Sequence, residues 1–162
     1  MGMIWSERVD YRLYRPEDFA QLYAIEELCF QPPFRFGRHY MRQLVDSLDT
    51  TSWIAEQDGC MVGFAIVQHS IEDQDRFAYI QTIEVSPSAR RQGVARELLL
   101  RMEESARKAG ALEIGLHVDE TNAAAIALYC AYGYEKQGRQ PHYYARNRSA
   151  EIYRKLLNTQ SP

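Results

Sequence analysis

A chain of 162 residues with 46% apolar and 25% charged residues has the size and make-up of one domain that buries its own core without staples. A formal net charge of −3 argues against a nucleic-acid partner, which would need a basic chain or a basic face. No apolar run approaches the roughly 20 residues that cross a bilayer, so no membrane span is expected.

The elements alternate along the chain. Residues 11–14 alternate in polarity and read as a first strand. Pro16-Glu17-Asp18 opens a helix, with proline early and acids in the first turn. Phe19, Leu22, Tyr23, Ile25, Glu26 and Cys29 roughly follow the helical period, and Pro32-Pro33 stops the helix. An aromatic loop at 34–36 leads to a second helix over 39–48. Residues 52–56 and 61–68 are strands joined by the hairpin signal Asp58-Gly59, and 72–75 form a polar turn. Residues 77–85 make another strand. Counting by two puts Tyr79, Gln81, Ile83 and Val85 on one face and Glu84 on the other. A helix over 94–109 shows Leu98, Met102 and Ala106 at every fourth position, with Gly110 as its C-cap. Residues 112–118 form a strand, 122–131 an alanine-rich helix closed by Gly133, and 134–137 and 149–156 two last strands around a tyrosine-rich connection.

The order β-α-α-β-β-β-α-β-α-β-β predicts an α/β (α+β) domain spanning 1–162, with a mixed central sheet of about six to seven strands and helices on both faces. The first ten residues carry Glu7, Arg8 and Asp10 with no apolar h-region, so no signal peptide is expected. Cys29, Cys60 and Cys130 are odd in number and form no CxxC pair. They argue against a zinc site or a disulfide framework, and read as buried free thiols in a reducing, cytoplasmic compartment.

The strongest local signal is Val85-Ser86-Pro87-Ser88-Ala89-Arg90-Arg91-Gln92-Gly93-Val94-Ala95-Arg96, where a strand ends, a polar loop follows and a helix begins. Helix N-termini offer about four unpaired backbone amides and a positive dipole end, which together bind anions. Gly93 lets a phosphate approach the backbone, and Ala95 keeps the next position small. Arg90, Arg91 and Arg96 add charge. Neither a Walker loop nor a GxGxxG fingerprint is present, which disfavours a nucleoside triphosphate or a dinucleotide. On charge and glycine alone, a helix start with solvated arginines is an equal alternative.

Arg90-Arg91-Gln92-Gly93-Val94-Ala95 resembles the Q/R-x-x-G-x-G/A signature of the GNAT superfamily of Gcn5-related N-acetyltransferases. Ile83-Glu84-Val85-Ser86-Pro87 resembles the family's lead-in, and Gly110, Asn122, Tyr129 and Gly133 follow in family order. The resemblance implies a GNAT fold and acetyl-CoA as co-substrate, with no metal. The strand end at Ile83, Glu84 and Val85 would bond the pantetheine arm. Residues 90–96, among them Gln92 and Val94, would hold the pyrophosphate.

The run from Leu116 to Tyr129 resembles the protein N-terminal acetyltransferases, including the ribosomal-protein-alanine enzymes. There an asparagine, here Asn122, bonds the pantetheine region, and a tyrosine, here Tyr129, protonates the departing thiolate. On the residues alone Asn122 is also a helix N-cap and Tyr129 a core aromatic. His117 stands where the ribosomal-protein enzymes usually carry a glutamate, and with Tyr79 it resembles the histidine–tyrosine base pair of the NatE class. A histidine titrates in the range that such a base requires. Pro141-His142-Tyr143-Tyr144 resembles the paired tyrosines that hold the substrate backbone in those enzymes. Pro32, Pro33 and Phe34 match their substrate loop. Cys130, next to Tyr129, has no paired base and reads as packing. The resemblance therefore implies transfer of acetyl to the N-terminal amine of a protein or peptide. The rival readings are a small-amine acetyltransferase and a non-catalytic acyl-CoA-binding module.

Overall fold

The computed structural model describes residues 8–70 and 76–157; residues 1–7 and the turn expected at 72–75 lie outside them. Eleven principal elements follow in the expected order: β1 (Val9–Leu13), α1 (Phe19–Cys29), α2 (Arg38–Asp46), β2 (Thr50–Gln57), β3 (Cys60–Ser70), β4 (Phe77–Val85), α3 (Val94–Lys108), β5 (Glu113–Asp119), α4 (Ala123–Ala131), β6 (Glu135–Ala145) and β7 (Arg148–Leu156). The strands form one sheet in the order β1-β2-β3-β4-β5-β7-β6. Neighbours are antiparallel except β4 and β5, which are parallel.

Alternation in β2 and β3 sends apolar side chains to both faces, and each face is covered. Ile54, Phe64 and Ile66 pack with Leu22, Ile25 and Met41 from α1 and α2. Ala65 and Val67 pack on the other side with Leu98, Leu99 and Met102 of α3 and with Ile114. Burying one such Leu or Ile contributes about 1.5–3 kcal/mol. Gly63 sets the spacing of β3 and β4. A Cβ there would lie 2.7 Å from the Glu84 carbonyl oxygen and 3.3 Å from Val94 Cγ1. Gly63→Val is expected to lower stability by about 1–3 kcal/mol through overpacking, read as a lower denaturation midpoint at an unchanged m-value.

Four expectations from sequence are corrected. Pro16–Asp18 is a separate 3-10 turn, so α1 begins at Phe19. The Asp18 carboxylate holds this turn by accepting from the Arg15 amide and from both terminal nitrogens of Arg12, each at 2.7 Å. In β4 the pairing runs Val67↔Ile80 and then Ile66↔Thr82, so Gln81 is an extra residue in a β-bulge. The bulge reverses the alternation, and Glu84 shares the α1-side face with Tyr79 instead of opposing it. The tyrosine-rich connection is not a loop between short strands. β6 runs through it, and its ladder jumps from Gln140↔Ala150 to Ala145↔Arg148. Pro141 has no amide for a ladder, so residues 141–144 bow out of the sheet, with His142 at φ 57°. Finally, Cys60, beside the β2–β3 turn, and Cys130, in α4, are exposed, and only Cys29 is half-buried.

Candidate active site

β4 and β5 are paired only from Phe77↔Glu113 to Tyr79↔Gly115. Beyond Tyr79 the two strands part. A cavity of about 680 Å³ opens between them, bounded by Ile83 on one side and by His117, Asn122 and Tyr129 on the other. That volume lies within the usual range for small-molecule sites. The α1–α2 loop (Pro33, Phe34, Phe36) and the bowed segment of β6 (Tyr143, Tyr144) close the opposite end.

At the donor end the chain leaves β4, makes one 3-10 turn at Pro87–Ala89, and enters α3 through Arg91 at φ 66° and Gly93 at φ 78°. Two left-handed residues in so short a turn gather backbone N–H groups into a concavity, and glycine is the residue that adopts such a conformation without strain. The first intrahelical bond is Glu97 N to Gly93 O, at 3.1 Å, so the amides of Val94, Ala95 and Arg96 face out of the helix end. Val94 buries its side chain in the core, which fixes the helix start. Arg91 and Gln92 are exposed at the turn, and Arg96 lies over the Tyr132 ring at 5.9 Å. Arg90 behaves differently. Its Nε donates to the Val85 carbonyl at 3.2 Å and its Nη2 reaches Cys29 Sγ at 3.9 Å, so this guanidinium ties the turn to β4 and α1. Glu84 turns its side chain into the protein, leaving its backbone and those of Ile83 and Val85 on the strand.

At the fork of the two strands, Tyr79 Oη lies 2.8 Å from His117 Nδ1, and His117 Nε2 lies 3.2 Å from Gln140 Oε1. The arrangement fits a neutral imidazole whose Nε2–H donates to the Gln140 carbonyl while Nδ1 accepts from the phenol. Burial lowers the His117 pKa below its ordinary 6.5, against the hydrogen bond to Gln140, so the ring is neutral at pH 7 and free to take a proton. Burial, helped by the neighbouring Tyr143, raises the Tyr79 phenol far above its ordinary value. Tyr79 therefore stays protonated at neutral pH, with its hydroxyl in hydrogen-bond contact with His117 Nδ1. Tyr143 stacks on His117 with centroids 4.4 Å apart and planes at 7°. Phe34 meets Tyr144 at 4.9 Å, and Arg148, paired with Asp119 at 3.0 Å, sits 4.6 Å over the Phe34 ring.

Asn122 caps α4, its Oδ1 accepting from Ala125 N at 3.2 Å, while the residue borders the cavity. The helix-cap reading of Asn122 is thus observed, and its place on the cavity wall leaves it within reach of a bound ligand. Tyr129 is buried, with its ring edge-on to Tyr134 at 5.5 Å. Its hydroxyl has no hydrogen-bond partner among the described residues, and burial raises its pKa, so it stays protonated. Cys130 is exposed and does not line the cavity. Pro32 is exposed and stands outside the cavity wall, whereas Pro33 and Phe34 form part of it.

Gln140, Thr82 and Asp119 also belong to the site and were not found from sequence. Gln140 reaches His117 because Gln140 and Asp119 both pair with Ala150, a register with no local signature. Among the described residues no group of three or more His, Cys, Asp or Glu is placed to hold a metal ion, and no helix is long and apolar enough to cross a membrane.

A forked mixed sheet with an amide-lined turn at one end of the cleft and a tyrosine–histidine pair at its vertex suits transfer of an acyl group from a phosphate-bearing carrier. The chain belongs to the acetyltransferase (GNAT) family, whose model matches residues 19–134. Over 88 residues it is 36% identical to the [ribosomal protein bS18]-alanine N-acetyltransferase of Escherichia coli, a match that covers 54% of this chain and 57% of that enzyme. The chain thus spans little more than half the length of this curated relative. The crystal structure of the ribosomal-protein-S18-alanine N-acetyltransferase from Escherichia coli superposes with a TM-score of 0.83 at 25% identity, covering 95% of this chain and 97% of that one. Arabidopsis thaliana NAA60, solved in complex with acetyl-CoA, shares the fold at a TM-score of 0.81 and 21% identity, covering 93% of this chain and 99% of that one.

Proposed function

We propose that the protein is a cytoplasmic acetyl-CoA-dependent N-acetyltransferase acting on the N-terminal α-amine of a protein or peptide, by direct attack within a ternary complex. The observation that carries this reading is the Tyr79–His117 pair, at 2.8 Å, roofed by Tyr143 and Tyr144 and sharing a cavity with the unpartnered Tyr129 hydroxyl. The relatives named for ribosomal-protein-alanine acetylation support the acceptor class.

The residues present fit the carrier. The amides of Gly93 to Arg96, with Arg91 and Gln92 beside them, would hold the pyrophosphate, and the backbone of Ile83 to Val85 and the side-chain NH2 of Asn122 would hold the pantetheine arm. Bound there, acetyl-CoA supplies a thioester carbon open to attack. The acceptor amine gives one proton through Tyr79 to His117 Nδ1, directly or through one water. Its nitrogen forms the amide bond as the carbon–sulfur bond breaks. The Val85 N–H would polarise the carbonyl, and Tyr129 Oη–H protonates the thiolate. Pro33, Phe34, Tyr143 and Tyr144 would orient the first residues of the peptide.

The acceptor class is tested by initial rates on an unblocked peptide, on the same peptide with a blocked α-amine and an internal lysine, and on spermidine. The unblocked peptide is expected to react at least about tenfold faster than either alternative, the lower end of what positioned acid–base groups contribute. Faster turnover of spermidine would make the protein a small-amine acetyltransferase. Binding of acetyl-CoA without turnover of any amine would make it a carrier-binding module.

A further inference from the structure

Behind the cavity, the contact of α1 with β4 buries two carboxyl groups that the reaction does not use. Glu26 is fully buried and Glu84 is 2% exposed. The bulge at Gln81 is what aims Glu84 at α1. One oxygen, Glu84 Oε2, accepts from Thr82 Oγ1 at 2.9 Å. The other three carboxyl oxygens have no hydrogen-bond donor from another group within normal bond length among the described residues, although the Phe36 amide lies near enough to favour charged Glu26.

Among the described residues no salt bridge reaches the pair, although the Arg35 charge favours ionised Glu26 from a distance. Arg35, on the α1–α2 loop, donates to the carbonyls of Phe30 (3.0 Å) and Glu27 (3.1 Å). Arg90 is engaged by Val85 O and Cys29 Sγ. The remaining titratable neighbour, Cys29, is held protonated chiefly by burial. Two carboxylates cannot both ionise in such a space, because like charges at low dielectric repel strongly and neither is hydrated. Burial and Glu26 together push Glu84 far above the carboxylate range, and burial raises Glu26 as well, against the hydrogen bond from Glu84. At neutral pH the pair therefore keeps a proton, which the two carboxyls can share as a charge-assisted hydrogen bond of the stronger kind.

The position of this bond gives it a role. Glu26 lies in the last turn of α1, where its carbonyl accepts from Phe30 N at 3.0 Å. The chain then runs directly into Pro33, Phe34 and Phe36 of the cavity wall. Glu84 lies between Ile83 and Val85, the strand residues assigned to the carrier. We propose that Glu26 and Glu84 form a proton-sharing clasp that positions the acceptor loop against the carrier strand, and that loss of the shared proton in alkali pushes α1 from β4 and loosens the loop. Both are positioning residues, and the inference rests on the proposed reading only in calling residues 30–36 the acceptor loop.

The test compares the wild type with Glu26→Gln, which keeps an acceptor for the Glu84 O–H and removes the second charge. Amide hydrogen exchange of residues 30–37 and the peptide KM at saturating acetyl-CoA are measured from about pH 7.5 to pH 10.5, a span chosen for a strongly raised buried acid. Ratios between the two proteins cancel the intrinsic pH dependence of exchange and the titration of the substrate amine. The expected result is that loop exchange and KM agree within about twofold at pH 7.5, and that both ratios of wild type to variant rise at least about tenfold by pH 10.5. An exchange ratio that stays flat with pH overturns the clasp. An exchange ratio that rises while the KM ratio stays flat upholds the clasp and overturns the assignment of the loop to the acceptor. If Glu26→Gln does not fold, Glu84→Gln, which keeps a donor and cannot ionise, carries the same comparison normalised to its own value at pH 7.5.

Discussion

Replacement of His117 by alanine is expected to lower kcat/KM for an unblocked peptide by about 10²–10⁴-fold, the contribution of a positioned general base. Loss of Nδ1 removes the group that accepts the proton from Tyr79. Tyr79 cannot substitute for it, because burial holds its phenol protonated far beyond neutral pH. The sign of the pH dependence follows from the same burial. A base is active when neutral, and His117 is neutral above a pKa that lies below 6.5. In the wild type the rate therefore carries an acid limb at that lowered value in addition to the deprotonation of the substrate amine. In His117→Ala this limb disappears and the rate simply tracks deprotonation of the amine. The variant also removes the stack with Tyr143, so the melting temperature must be followed. A loss of kcat/KM under about tenfold with an unchanged fold would leave His117 a packing residue.

The second large effect is expected at Tyr129. Tyr129→Phe keeps the ring edge-on to Tyr134 and removes a hydroxyl without a partner among the described residues, so the fold has no internal hydrogen bond to lose. The phenol acts when the thiolate departs and not when the peptide binds. The decrease, about 10²-fold or more, is therefore expected in kcat, with the peptide KM little changed. Because burial keeps this phenol protonated, it contributes no alkaline limb near neutral pH. Steady-state kinetics of the variant check both points: a rise in KM with kcat intact would assign Tyr129 to binding instead of proton transfer.

Where function was legible in the sequence, the signal was local. The four-residue spacing of Leu98, Met102 and Ala106 marked α3, Asp58-Gly59 marked the β2–β3 turn, and the position of Gly93 before α3 marked the amide-lined turn. Tyr79 and His117 were named as a pair by resemblance, and the pairing of β4 with β5 up to Tyr79↔Gly115 brings them to 2.8 Å. What escaped depends on events remote in sequence. One extra residue at Gln81 defeats counting by two, and moves Glu84 from the face expected to oppose Tyr79 to the α1-side face, where it is half of a buried acid pair. The bow at Pro141 is visible only once β7 has claimed Gln140 and Ala145 as partners on either side. Gln140, the second partner of His117, was therefore beyond any local pattern. The charge of Arg90 was legible, but the orientation of its side chain depends on where Val85 and Cys29 meet.

The single residue inserted at Gln81 also governs which changes the strand tolerates. Because it alone decides that Thr82 borders the cavity and Glu84 faces α1, exchanging one side chain for another in β4 perturbs a single contact, whereas adding or removing a residue there would trade the inner and outer sets wholesale. The count of residues between Tyr79 and Ser86 is thus a stricter requirement on this protein than their identities. Variation among chains of this kind should accumulate as substitutions within β4 and as length changes only outside it.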